Sequence, residues 1–209
     1  MSDEIEITKN NPITDKTAPL TGRALILDTA ATLFRNKGFA ATSLRDIATT
    51  ANMKAGSLYY YFESKDAIVA EVLRIGVAHV FDQVKISVDA LGANASSREL
   101  IGTAVSAHLN ALLHTQNFTS ANIRIFGQVS DEIKRNHIPL RKEYEQFWAE
   151  LLNRCNRDLN QKRNLHLVRF FIIGAMNATL EWFQPGKASI SDIASELTAL
   201  LLDGVLKKE

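Results

Sequence analysis

The sequence predicts an all-α protein, with a small three-helix domain joined by a long helix to a larger helical domain. Three observations predict it. Apolar residues recur at three- and four-residue spacing over successive long segments, the signature of amphipathic helices. Ten Gly and only four Pro in 209 residues suit long helices better than a turn-rich sheet protein. Thr42–Phe62, TSLRDIATTANMKAGSLYYYF, holds two short helical patterns around a tight turn, which is the form of a helix-turn-helix.

Taken in order, residues 1–19 are polar, carry Asn-Pro and Ala-Pro steps, and lack helical periodicity, so they read as a flexible arm whose mixed charge leaves DNA contact undecided. The start, MSDEIEITKN, is acidic rather than basic-then-apolar and does not read as a signal peptide. Residues 20–63 form the first domain. Leu20–Lys37 opens it as a helix whose apolar stripe runs through Ile26, Ala30, Leu33 and Phe34, with Gly38 as its stop. Phe39 is then placed to tuck beneath the motif.

Within Thr42–Phe62, Thr42 and Ser43 are expected to cap the first short helix, and Leu44, Ile47 and Ala48 to face inward. Asn52 can adopt the left-handed conformation that a sharp turn needs. Lys54–Tyr61 reads as the second helix, with Ala55, Leu58 and Phe62 inward and Lys54, Ser57, Tyr60 and Tyr61 outward. Charge agrees with a nucleic-acid surface without establishing one. The chain is only +1 overall, but over residues 20–65 six basic side chains meet three acidic ones.

Residues 64–209 form the second domain. Ser64 is a good N-cap for a rod whose stripe runs from Ile68 to Val84, some 36 Å long at about 1.5 Å per residue. Gly92–Ser97 is a polar break before a helix over Ser97–His114, and Gln116–Thr119 is a second break. His137-Ile138-Pro139 is expected just before or at the start of a long helix containing Tyr144, Trp148 and Leu152, because proline breaks a helix interior.

Ile26-Leu27-Asp28-Thr29-Ala30 with Leu33-Phe34, then Gly38-Phe39, Thr42-Ser43, Asp46-Ile47-Ala48 and Gly56-Ser57-Leu58-Tyr59-Tyr60-Tyr61-Phe62 with Lys65, resemble the TetR family of bacterial transcriptional regulators. The resemblance covers about 50 residues at family spacing. Asn52 departs from it where Gly is common, and Lys54 where a capping Ser is common, so the second helix is expected to start less sharply. The resemblance implies a DNA-binding repressor with an all-helical effector-binding and dimerisation domain. Thr42, Ser43, Tyr59, Tyr61 and Lys65 would then contact phosphates. Arg45, Lys54, Ala55, Ser57 and Tyr60 would reach base edges, and Gly56 would let the helix backbone approach DNA closely. For Tyr59 the alternative is a buried ring with only its hydroxyl on a phosphate.

The second half offers no catalytic constellation. The five histidines show no metal-ligand spacing, and there is no Gly-rich phosphate loop or nucleophile elbow. No enzyme activity, metal or cofactor is expected. Cys155, the single cysteine, excludes an internal disulfide and a multi-cysteine zinc site, and reads as a core residue in a reducing, cytoplasmic protein. No segment approaches the roughly 18 consecutive apolar residues of a membrane span. Without DNA binding, the alternatives are a helical interaction module or, less well supported, an enzyme on a helical scaffold.

For the effector, His108, Arg124, Phe126, Tyr144, Trp148 and Asn177 are candidate cavity residues, each open to a plain packing role. Met176–Gly186 with Ser191-Asp192-Ile193-Ala194 is similar to a TetR subgroup of fatty-acid or steroid catabolism. Several of its members respond to acyl-CoA thioesters, and Ala178 departs from its pattern. The effector implied is small and apolar or amphipathic. Two stripes, Val168, Phe171, Ile172, Ala175 and Thr179, then Ile193, Leu197, Leu200, Leu201 and Leu206, are expected to pair helices 165–183 and 190–206 with a second copy. The partner DNA is then a palindromic operator. A ligand-driven tilt of the rod would move the two reading heads off groove spacing, with corepression and activation left open.

Overall fold

A computed structural model describes residues 20, 22–114, 116–155 and 164–204. The expected arm (1–19) and Leu206 lie outside the described residues. Those residues form helices and no strand: α1 (Gly22–Lys37), α2 (Leu44–Thr50), α3 (Ala55–Tyr61), α4 (Lys65–Asp89), α5 (Ser97–His114), α6 (Gln116–Ile125), α7 (Asp131–Arg154), α8 (Leu165–Trp182) and α9 (Ile190–Leu202). A single 3-10 turn, Phe126–Gln128, follows α6.

Helix boundaries follow local chemistry. Gly38 sits at φ 82° and ends α1, and Asn52 at φ 51° makes the left-handed turn between α2 and α3. Ser64, Ser130 and Ser189 cap α4, α7 and α9 by accepting a bond from a backbone N–H in the first turn.

Two apolar cores result. One gathers Ile26, Phe34, Ile47, Leu58 and Phe62 with Ile68–Ile75 of α4, Ala121 and Ile125 of α6, and Ile133 at the start of α7. The other gathers Val80, Val84 and Val88 of α4 with α5, Tyr144, Trp148 and Leu152 of α7, and Ile172 and Met176 of α8. The three-helix domain thus closes its core with helices from beyond residue 64, as its small size requires.

Two expectations are corrected. Gln116–Thr119 is the first turn of α6, not a break. Pro139 lies inside α7. A proline there removes only the bond to the carbonyl of Arg135, and both residues are exposed, so water can satisfy that group.

Candidate nucleic-acid interface and effector cavity

The reading unit is built from short helices with strong local ends. In α2 the Ser43 hydroxyl accepts from the Asp46 N–H at 3.1 Å, and an Asp46 carboxylate oxygen accepts from the Ser43 N–H at 2.8 Å. The Ser43 hydroxyl also donates to that carboxylate at 2.7 Å, and this bond, followed by the one from the Ser43 N–H, holds the Asp46 carboxyl below its ordinary range. Lys54 is the N-cap of α3 and makes no side-chain capping bond, the blunt start expected of it.

Leu58 and Phe62 anchor α3 in the core while Lys54, Ala55, Gly56, Ser57, Tyr59, Tyr60 and Tyr61 are exposed. Arg45 of α2 is exposed as well. Tyr60 leaves 83% of its surface open, a large aromatic area for a helix that packs only on its other side. Ala55, expected inward, is exposed, because it opens a seven-residue helix whose anchors are Leu58 and Phe62. The ring of Tyr59 is not buried either, at 59% exposure.

Thr42 and Lys65, expected at phosphates, engage their polar groups inside the domain. Thr42 is buried and its hydroxyl donates to the Gly38 carbonyl at 2.8 Å. The Lys65 ammonium donates to the carbonyls of Phe39 and Thr42, both at 2.9 Å, and lies 4.0 Å from the Phe39 ring centre. Lys65 therefore fixes the loop before α2 against α4, and Phe39 is tucked beneath the motif as its position implied.

A cavity of about 360 Å³ opens between α4, α5, α6, α7 and α8. Val77 and Val80 of α4, Ile123 of α6 and Ile173 of α8 give it apolar wall; His108, Asn122, Arg141 and Asn177 give polar wall. His108 Nδ1 lies 2.7 Å from the Tyr144 hydroxyl and Nε2 lies 3.3 Å from the Asn177 side-chain oxygen. An Nε2–H donor to Asn177 leaves Nδ1 to accept from Tyr144, so the neutral ring satisfies both partners. Burial drives the His108 pKa down to about 4 and the Tyr144 pKa up, which keeps both groups uncharged.

Of the six expected cavity residues, His108, Phe126, Tyr144 and Asn177 line this space. Trp148 does not. It is fully buried behind Tyr144, with ring centres 6.4 Å apart, and belongs to the core. Arg124 does not either; its guanidinium donates to the Arg35 carbonyl at 2.9 Å, on the other side of α6. Arg141, Thr119 and Asn122 were missed. Arg141 precedes Tyr144 by three residues and so shares its helix face, a spacing that could have found it. Thr119 and Asn122 had no such signal: Thr119 ends the segment that read as a break, and Asn122 lies in the short segment after it.

The segment α6 and its following turn face both ways. Thr119, Asn122, Ile123, Phe126 and Gly127 line the cavity. From the same segment Asn117 donates to Asp28 at 3.0 Å, Arg124 holds Arg35, and the Gln128 side-chain oxygen accepts from the Phe39 N–H at 3.0 Å. Asn122 also donates to the Leu73 carbonyl of α4 at 2.8 Å and lies 3.2 Å from His137 Nε2 of α7. Gly76 makes this closeness of α4 and α6 possible, since a Cβ there would stand 2.6 Å from the Phe118 carbonyl oxygen.

On the outer side of α8, Leu167, Phe171, Ala175, Ala178 and Trp182 are exposed at helical spacing, and Leu200 of α9 is exposed as well. The expected α8 stripe merged two faces: Phe171 and Ala175 point out, whereas Ile172 and Thr179 are buried within the subunit. With apolar residues on both its inner and outer faces, α8 gives periodicity little to separate them by. Among the described residues no helix is long and apolar enough to cross a membrane, and no cluster of potential metal ligands occurs.

Residues 26–72 match the family model of bacterial regulatory proteins of the tetR family, and residues 94–205 match that of the tetracyclin repressor-like C-terminal domain. The HTH-type transcriptional repressor KstR2 of Rhodococcus jostii (strain RHA1) is 28% identical over 202 residues, covering 93% of this chain and 96% of that protein. The IcaR negative transcriptional regulator of the biofilm operon icaADBC in Staphylococcus aureus (strain Newman) is 27% identical over 167 residues, 76% of this chain and 74% of that one. The solved ketosteroid transcriptional regulator KstR2 of Mycobacterium tuberculosis superposes with a TM-score of 0.75 at 25% identity, covering 91% of this chain and 98% of that one. With both halves matched, the chain belongs to the TetR family and is a DNA-binding transcriptional regulator, not an enzyme.

Proposed function

We propose that the chain is a homodimeric repressor, released from a palindromic operator in the cytoplasm when a small apolar or amphipathic effector fills the cavity between α4 and α8. An acyl-CoA thioester is one candidate class. The observation that carries this reading is the double role of α6 and its turn, which line the cavity on one side and hold the reading head by three side-chain bonds on the other. A ligand that displaces Ile123 or Phe126 moves Asn117, Arg124 and Gln128 with them. The coupling thus runs through α6 as well as through the α4 rod. The repressor names of the KstR2 and IcaR relatives favour release over activation. A full switch from 1:99 to 99:1 requires the effector to favour the released state by about 10⁴-fold.

In this reading Arg45, Lys54, Ala55, Ser57 and Tyr60 face bases, Gly56 admits the backbone, and Ser43, Tyr59 and Tyr61 touch phosphates. Thr42 and Lys65 hold the loop that positions them. The exposed α8 stripe, with α9, is the surface for a second copy, supported by its large apolar side chains and the small Ala175 and Ala178 between them.

Operator affinity measured against salt tests the assignments. Tyr59→Phe and Tyr61→Phe should weaken binding to all sequences alike, because their hydroxyls meet phosphates, whereas Lys54→Ala should relax the preference at one base position. Lys65→Ala should weaken binding at every salt with the slope unchanged, because its ammonium serves two carbonyls. Ser57 and Tyr60 substitutions should change which bases are preferred. Phe171→Glu should yield monomers by sedimentation and abolish tight binding to the two-fold site. Wild-type protein that stays monomeric and ignores inverted-repeat duplexes would refute the proposal.

A further inference from the structure

Most polar groups around the cavity are already engaged: Asn122 with Leu73 and His137, and His108 with Tyr144 and Asn177. Arg141 is different. Its guanidinium lies 4.2 Å from the Phe126 ring centre on the cavity wall and makes no ion pair or hydrogen bond among the described residues. The neighbouring carboxylate, Glu145, pairs instead with Arg169 at 3.2 Å. Thr119 supplies a second free donor: it is 4% exposed, lines the same cavity, and its hydroxyl has no partner among the described residues. Arg169, its side chain only 12% exposed, also has an Nε–H without an acceptor.

This end of the cavity therefore holds the Arg141 guanidinium and the Thr119 hydroxyl, while Arg169, outside the lining, takes the one nearby carboxylate, Glu145. The Thr119 hydroxyl, shielded from water, is costly until an acceptor arrives, and the half-buried Arg141 guanidinium beside it has no counter-charge of its own. A planar guanidinium matches the two oxygens of a carboxylate or phosphate. Val77, Val80 and Ile173 give the cavity an apolar side.

We infer that the effector is an amphipathic anion, its carboxylate or phosphate oxygens paired with Arg141 and assisted by Thr119, its apolar body against Val77, Val80 and Ile173. The inference rests on the proposal that this cavity is the effector site, and adds a charge and a specificity-determining residue to it.

The test is ligand binding by calorimetry, alongside operator release, with decanoate and lithocholate, their methyl esters and their CoA thioesters. Wild type should prefer an anionic form over the methyl ester by about ten- to a hundredfold. If the recognised oxygens belong to a free carboxylate, the acids bind and their thioesters do not; if they belong to phosphate, the order reverses. In Arg141→Gln the preference for either anion over the ester should vanish while ester binding stays unchanged. Operator affinity without ligand should stay at the wild-type level, which shows that the variant folds. If it does not fold, Arg141→Lys makes the same comparison, keeping the charge and losing the fork, and should lose most of the preference. Methyl esters that bind and release operator as well as the anions overturn the anion assignment and leave the cavity reading standing. So does an anion preference that survives in both Arg141 variants. If no member of any series binds or releases operator, the effector reading falls and the anion assignment falls with it.

Discussion

The reading head and the effector half handle polar groups in opposite ways. In α1–α3 and the loops between them most polar side chains cap helix ends or stand exposed, Asp28 meets Asn117 at the edge, and the buried polar groups are small hydroxyls such as Thr29 and Thr42. In the effector half, imidazole, phenol and amide groups lie inside, paired across helices: His108 with Tyr144, and Asn122 with His137. A surface that reads a long polymer works with groups left free. A chamber for a small molecule works with groups held in place away from water.

Acid should separate the two regions most strongly. Burial lowers the pKa of both His108 and His137 to about 4 from an ordinary 6.5, the Arg141 charge adding to the effect at His137. Above pH 6.5 both folded and unfolded chains hold neutral imidazoles, and stability is complete. Between pH 6.5 and about 4 the unfolded chain takes up protons that the folded one refuses, so stability falls as pH falls. For the fully enclosed His108 the loss approaches about 3 kcal/mol by pH 4. No histidine occurs in α1–α3, so over this window the titrating imidazoles lie in the other region. Urea unfolding from pH 8 to pH 4.5 should show the decline, and His108→Gln should flatten it; a curve unchanged by that substitution removes the imidazole from the account.

Two glycines sharpen the contrast. Gly76→Ala adds a Cβ that meets the backbone carbonyl of Phe118, which cannot swing away, and the resulting strain of about 1–3 kcal/mol outweighs the gain of up to about 1 kcal/mol in helix propensity. Gly56→Ala in α3 meets nothing within 4 Å. It should raise the melting temperature by the same propensity gain and still weaken operator binding, because the crowding arises only when DNA is present. Unchanged operator affinity in Gly56→Ala would mean that the α3 backbone does not approach DNA closely.

The smallest effect is expected at the turn. Asn52→Gly places at φ 51° the residue best suited to it and should change stability by well under about 1 kcal/mol, whereas Asn52→Ala should cost about 1 kcal/mol or more. Equal melting temperatures for the two variants would show that the left-handed turn is not under conformational demand.

How much was legible in the sequence follows the same division. Gly38, Ser43, Asn52 and Ser64 act on their own backbone neighbours, and their residue types reveal the reading head almost to the residue. The cavity is assembled from five helices, so no short segment carries its pattern. The sequence offers His108, Phe126, Tyr144 and Asn177 for it, but by type and spacing Trp148 and Arg124 are indistinguishable from them. Lys65 misled for a related reason: its place at the start of α4 suits a phosphate, and only tertiary contacts reveal the two carbonyls it holds. The outward stripe of α8 is blurred because its inner face is apolar too.

Only α4 and α7 send buried side chains of one helix into both apolar cores at widely separated levels, Ile68–Ile75 and Val80–Val88 for α4, Ile133 and Tyr144–Leu152 for α7. Each carries, between those levels, one of the two residue types least able to keep a helix straight: Gly76 in α4 and Pro139 in α7. The two cores therefore meet along a seam across the middle of the molecule, marked by single residues rather than loops, so that a substitution at either residue bears on both cores at once.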